Sequence, residues 1–303
     1  MRKFVALTVL SALVFISSCA GVRIGRPSPL EIAASFEAAG NPDEAVKTLK
    51  NASQDASYKS AVKREILTAL AELYANQKDN LNAIKTLREA AKTGDGDPFI
   101  GLRLGEMLLR EGLIVEATAE FTALENRGVK TPSLLLGLGE AYYRNGRTLK
   151  ATGYLEQYLK IYPDDKKAMM MLYESHEAMG NYPAARNALS GCAAVLSVKD
   201  FTVKMAMNWM RDGNPDEAIE ELEKIKADFP ESNFYLALAC YQKGDLDKAL
   251  NFFSQAPDSL AEEASFFRAL VLFELGRKAE AYPIFKKLAL KENYSRYCAV
   301  FVK

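Results

Sequence analysis

The chain has 303 residues, 39 of them basic and 39 acidic, and apolar residues make up 49% of it. With no net positive charge it lacks the means to neutralise a phosphate backbone, so nucleic acid is not expected as a partner. The apolar content is enough for an extended buried core, whereas one histidine and four cysteines leave little material for a metal cluster.

Arg2 and Lys3 open the chain, and residues 4–16 follow as an apolar run diluted only by Thr8 and Ser11. As a helix this run spans roughly 20 Å, short of a hydrocarbon core about 30 Å thick. It reads as a secretory signal. The next residues, Ile16-Ser17-Ser18-Cys19, resemble the lipobox of bacterial lipoproteins. The resemblance implies cleavage before Cys19 and attachment of acyl chains, palmitate among them, to its thiol and new amino group. Several chains on one residue make a stable anchor. Ordinary cleavage near Ala20, leaving a soluble periplasmic protein, is the alternative. Alanine at position 20, in place of aspartate, implies sorting to the outer membrane facing the periplasm, or to the cell membrane in a host that has no outer membrane. Residues 1–18 are therefore expected to be a signal peptide. Residues 19–29, stiffened by Pro27 and Pro29, form a short lipidated tether.

From there the chain repeats itself. Ala45, Ala83, Ala117, Ala151, Ala185, Ala218, Ala249 and Ala281 stand 31 to 38 residues apart, mostly close to 34. A fixed period of this size is the mark of a solenoid, in which no unit can bury its apolar face alone. Residues 134–163 give the clearest unit. Leu135, Leu138 and Tyr142 share one face of a first helix, and Gly146 ends it. Ala151, Leu155 and Leu159 share a face of a second helix, and Pro163 closes the unit. Small residues recur where paired helices approach (Ala33, Ala71, Gly105, Gly139, Ala206, Ala237 and Ala269, with Tyr173 as the exception). Glycine recurs at the turn, from Gly40 to Gly276, and Lys78 alone departs. A large residue recurs four places after each alanine, as in Leu49, Phe121, Leu155 and Phe285.

These residues resemble the tetratricopeptide repeat, a 34-residue helix–turn–helix module. The resemblance covers nearly the whole mature chain and implies an all-α, right-handed solenoid of about eight hairpins over residues 30–290. Residues 291–303, with Tyr294, Tyr297, Cys298 and Phe301 at helical spacing, are expected to form a terminal capping helix. The hexapeptide Gly-Asn-Pro-Asp-Glu-Ala occurs at 40–45 and 213–218, where Asn41 and Asn214 can cap and Pro42 and Pro215 suit the first helical position. The first interval is four residues too long, and residues 51–59 are expected to hold the excess as a longer turn.

Little catalytic material is present. His176 falls in a column that otherwise holds packing residues such as Tyr74, Leu108, Tyr142, Trp209 and Leu272, so it is expected to be a buried or half-buried packing residue, as is Trp209. Cys192 and Cys240 lie on helices too far apart to pair, an odd number of three leaves at least one unpaired, and Cys192, Cys240 and Cys298 are all expected as buried thiols. No phosphate loop, dinucleotide fingerprint or nucleophile elbow occurs. The chain is therefore expected to be no enzyme, with no cofactor and no catalytic or metal-binding residue.

In the family the first helix of each unit lines the binding groove. Carried over, this places Leu102, Leu136, Met170, Phe234 and Phe266 at one groove position. It places Glu106, Glu140, Glu174, Met207 and Leu238 at a second, and Tyr143, Met210, Tyr241 and Phe273 at a third. The middle of the groove carries an acidic column, extended by Glu72, and the later half carries methionine and aromatic side chains. Such a surface suits an amphipathic helix or extended peptide with a basic portion. Two opposing readings remain: Glu106 and Glu140 can pair with Arg110 and Arg144 along their own helices, and Phe234, Phe266 and Phe273 can pack against their own neighbours. The function expected is a membrane-anchored, non-enzymatic adaptor for another envelope protein or peptide. The alternatives are a carrier of a small apolar ligand, lined by Phe234, Leu238, Phe266 and Leu270, and a homo-oligomeric spacer.

Overall fold

The computed structural model describes residues 27–94 and 97–301. The expected secretory signal, Cys19 and the first part of the expected tether lie outside the described residues. Among those described there are 17 α-helices and no strand, as the repeat requires. The chain divides into two compact units, Met1–Glu120 and Phe121–Lys303.

The first unit holds the hairpins α1 (Pro29–Ala38) with α2 (Pro42–Gln54) and α3 (Ser60–Asn76) with α4 (Asn80–Ala91), then α5 (Pro98–Arg110) and the start of α6 (Ile114–Asn126). The second unit continues with α7 (Pro132–Arg144) and α8 (Thr148–Leu159), then α9 (Lys166–Ala178) and α10 (Tyr182–Gly191). It goes on through α11 (Val198–Arg211) with α12 (Pro215–Glu223), and α13 (Ser232–Lys243) with α14 (Leu246–Ser254). A short 3-10 turn, Asp258–Leu260, leads into α15 (Ala261–Glu274) and α16 (Lys278–Leu288), and α17 (Glu292–Cys298) closes the chain.

Local chemistry sets the helix starts. Ser28 and Glu31 form a reciprocal capping box ahead of Pro29, with Glu31 Oε2 accepting from the Ser28 amide at 2.7 Å. Thr131, Asp165, Ser197 and Asp245 each accept a backbone N–H of the helix they precede. Asn41 and Asn214 occupy N-cap positions, yet neither side chain makes a cap bond, contrary to expectation. The Asn214 amide turns back to Asp212 instead, at 3.2 Å. The proline and the two acids that follow supply the start signal alone.

The eight repeat alanines are all fully buried, at 0% exposure. The large residues four places on are buried too, from Leu49 to Phe285. Small residues permit the helix approach: a Cβ on Gly139 would lie 2.8 Å from Leu155 Cδ2, inside the fully buried core. The seven turn glycines all take positive φ. Lys78 takes the same left-handed conformation at φ 62°, and it is the only non-glycine among the described residues to do so. Its turn closes like the others, with the Asp79 amide donating to the Tyr74 carbonyl at 2.8 Å. A Cβ there is strained, so Lys78→Gly is expected to raise stability by about 0.5–1 kcal/mol after the extra freedom of glycine in the unfolded chain is set against it. Denaturant unfolding checks this, and an unchanged or lower midpoint contradicts it.

The long first interval resolves differently from the expected loop. Residues 51–54 continue α2, only residues 55–59 turn, and α3 reaches 17 residues. At the other end α17 covers the last hairpin, and residues 302–303 of the expected cap lie outside the described residues. Cys298 is fully buried, Tyr294 lies 5.6 Å from Phe266, and Phe301 stacks on Phe285 at 4.3 Å.

Candidate peptide-binding face

The first helices of neighbouring hairpins touch one another within each unit, as α7 does α9 and α11 does α13. Their shared face carries the side chains at issue. In the first unit Leu102 is half-buried and Glu106 pairs with Arg103 at 3.2 Å. Arg103 also reaches Glu72 of the preceding first helix at 3.3 Å. The partner of Glu106 is therefore Arg103, one turn earlier, and not Arg110.

In the second unit the acidic column is stitched between repeats. Glu140 is buried, pairing with Arg144 at 2.5 Å on its own helix and with Lys167 of α9 at 2.7 Å. Its expected place on an open groove is corrected accordingly: a carboxylate held by two cations is a joint, not a free contact. The Tyr143 hydroxyl donates to Glu174, and this bond, with burial, pushes the phenol up to about 12. Tyr241 donates to Glu274 with the same result. Glu177 takes the Asn208 amide and the Arg211 guanidinium. The carboxylates expected to meet a basic ligand are thus engaged inside the chain, Glu140 by two cations, Glu72 and Glu106 by one shared arginine, and Glu174 by a neutral hydroxyl that leaves its charge in place.

The aromatic end is used in the same way. Phe234 is buried, with its ring 5.8 Å from Phe253 and 6.0 Å from Phe267, so it belongs to the core and not to the groove. Phe266 sits under Tyr294 and Tyr297 of the cap, and Phe273 lies 5.2 Å from Phe301. Phe266 and Phe273 stay half-buried. What remains accessible is an apolar strip: Leu136, Met170, Met207, Met210, Leu238 and the Tyr241 ring, all half-buried.

Sequence reasoning missed the joint between α9–α10 and α11. The Arg186 guanidinium stacks 3.6 Å above the Trp209 ring, donates to Asn208 Oδ1 at 2.6 Å and meets Asp212 at 2.7 Å. Asn208 itself is fully buried. A signal did exist. Glu72 and Arg103, Tyr143 and Glu174, and Glu177 and Asn208 are each 31 residues apart, one repeat less about one helical turn.

The chemistry of the remaining polar groups is quiet. Cys192, Cys240 and Cys298 are free and buried, and burial raises each thiol above its ordinary value, away from the reactive thiolate. Among the described residues no group of three or more His, Cys, Asp or Glu side chains is placed to hold a metal ion. His176 is buried as expected, with Nδ1 unpartnered and Nε2 3.6 Å from Glu156. Burial lowers its pKa more than Glu156 raises it. A proton taken up by the unfolded chain below its ordinary value near 6.5 is then not matched in the fold. Stability should be full above that pH and fall as the solution is acidified. His176→Leu is expected to flatten this fall between about pH 7 and 5. Urea midpoints measured across that range test it, and a variant with the parent's slope contradicts it.

Comparison with known proteins agrees with this architecture. Family models of the tetratricopeptide repeat match residues 30–98 and 204–262, and a second such model matches residues 133–165, together more than half of the chain. The chain belongs to the tetratricopeptide-repeat family. No curated protein matches it in sequence. Among solved structures this repeat protein is similar to one from Parabacteroides merdae ATCC 43184, at 18% identity and a TM-score of 0.51, covering 79% of this chain and 97% of that one. It is similar to the C-terminal part of a repeat protein from Cytophaga hutchinsonii, at 15% identity and 0.52, covering 90% and 99%. It is also similar to PilW, a type IV pilus biogenesis factor, at 21% and 0.50, covering 69% and 94%. At these identities the likeness is one of fold.

Proposed function

We propose that this repeat protein is a non-enzymatic adaptor that binds a protein or peptide along its first helices. We further propose that it is exported and held at a membrane by lipid on Cys19, so that its partner is a protein of the cell envelope. The observation that carries the binding reading is the strip of Leu136, Met170, Met207, Met210, Leu238 and Tyr241, left half-exposed beside carboxylates that already hold partners within the chain. Methionine and tyrosine adapt to or bury large partner area at low entropic cost. The partner this surface favours is more apolar than the acidic column alone suggests, because that column is committed to joints between repeats.

The packing of Phe234 and Phe266 in aromatic clusters of the chain itself speaks against the carrier alternative. Met207→Glu combined with Leu238→Glu is expected to reduce partner recovery after chemical crosslinking at least tenfold, with unchanged circular dichroism. Full recovery contradicts the binding reading. Labelled palmitate is expected on the parent chain and absent from Cys19→Ala; label on neither chain contradicts the anchor and leaves the binding reading standing.

A further inference from the structure

A second feature lies away from the first-helix face. A cleft of about 690 Å³ opens among the end of α6, the loop at residues 129–131, the start of α7 and the length of α8. Its size is that of a ligand-binding cleft. Leu134, Leu138 and Tyr154 line it, and the apolar side chains Leu149 and Ile161 stand at it 77% and 52% exposed.

Gly153 opens the cleft. It sits inside α8, where glycine is a poor helix former, and a Cβ built on it would meet nothing within 4 Å. Gly139 and Gly137, by contrast, are required by Leu155 and Phe121, which a Cβ would strike. At the equivalent place, two residues after the repeat alanine, the other units carry Lys47, Lys85, Ala119, Asn187, Glu220, Asn251 and Pro283, and none of them a glycine. No packing demand within the chain explains the missing side chain, and its effect is to leave the cleft open.

Two lysines against one glutamate leave the cleft with a net positive charge. Glu125 is engaged, accepting the Tyr154 hydroxyl at 2.8 Å. Lys130 and Lys150 line the cleft with no carboxylate partner among the described residues, and the Lys150 ammonium rests 5.0 Å from the centre of the Tyr142 ring. An occupant must therefore bring apolar groups for the floor and carboxylates for the two lysines.

We propose that this cleft docks an acidic amphipathic peptide segment of a partner protein, its apolar side chains over Gly153 and its carboxylates toward Lys130 and Lys150. The site is separate from the first-helix strip and stands or falls apart from it. With both faces occupied, the protein would bridge two partners.

The test is selection of a displayed random peptide library on the purified full chain, followed by affinity measurement on variants. Enriched peptides are expected to carry apolar residues at helical spacing flanked by Asp and Glu. They should bind Gly153→Leu, and Lys130→Glu with Lys150→Glu, at least tenfold more weakly than the parent. Gly153→Leu adds a better helix former and should melt no lower than the parent, which separates a filled cleft from a damaged fold. Met207→Glu with Leu238→Glu should leave these peptides bound. Peptides that bind Gly153→Leu equally well, enrichment of basic peptides, or no enrichment would overturn the proposal. So would an oleate probe that binds the parent and not Gly153→Leu while no peptide is selected, since the cleft would then belong to a lipid.

Discussion

Arg186→Ala is expected to destabilise the second unit by about 3 kcal/mol, the lower end of the range for breaking a buried ion pair. The lower end applies because water reaches part of Asp212, which is 24% exposed against 13% for Arg186. One guanidinium holds three things together: the Trp209 ring, the buried Asn208 carbonyl and the Asp212 carboxylate. Removing it leaves Asn208 Oδ1 without its donor in a fully buried place. Lysine cannot both stack on the indole and fork to two acceptors, so Arg186→Lys should recover less than half of the loss. Denaturant unfolding followed by Trp209 fluorescence reads both variants, since the chain's one tryptophan lies at this joint. A loss under about 1 kcal/mol, the size of an exposed pair, would show that the joint is not held this way.

Phe285→Ala is expected to cost about 3–5 kcal/mol, the usual penalty for emptying a fully buried aromatic site. Phe285 is inaccessible to solvent and stacks on Phe301, with Phe266 6.3 Å away. It joins the last hairpin to the residues that close it. The effect should therefore spread to α17, whose only buried residue is Cys298. Labelling of Cys298 by a thiol reagent, followed by mass spectrometry, is expected to be slow in the parent and fast in the variant. A parent-like labelling rate with a lowered unfolding midpoint would show that the cap is held independently of Phe285.

The period of the alanines, the turn glycines and the large residues four places on placed every hairpin, because each marks a packing need that recurs in every unit. All eight alanines are indeed fully buried. Even the exception was visible: Lys78 breaks the glycine column and adopts the glycine conformation. The face was less legible. A place in the repeat tells which way a side chain points but not what its neighbour offers. Glu140 points as its column implies and is nonetheless buried under Arg144 and Lys167. Phe234 shares a column with half-buried Leu136 and Met170, yet it is drawn into the core because Phe253 and Phe267 surround it. The column at His176 shows the reverse, since Trp209 and Tyr74 within it stay half-exposed. Pairs 31 residues apart carried the missing information, and a search at that spacing would have linked Glu72 with Arg103 and Tyr143 with Glu174. Gly153 was equally plain in the sequence, but only the open space beyond its Cα gives it meaning.

The central claim is that the half-exposed apolar strip on the first helices receives another protein. Site-specific photocrosslinking in living cells tests it most directly, with the photoreactive amino acid placed at Met207 in one strain and at exposed Leu81 on α4 in another. A discrete adduct from position 207 that is missing from position 81 is the predicted result. No adduct at 207, or the same adducts from both positions, would contradict it.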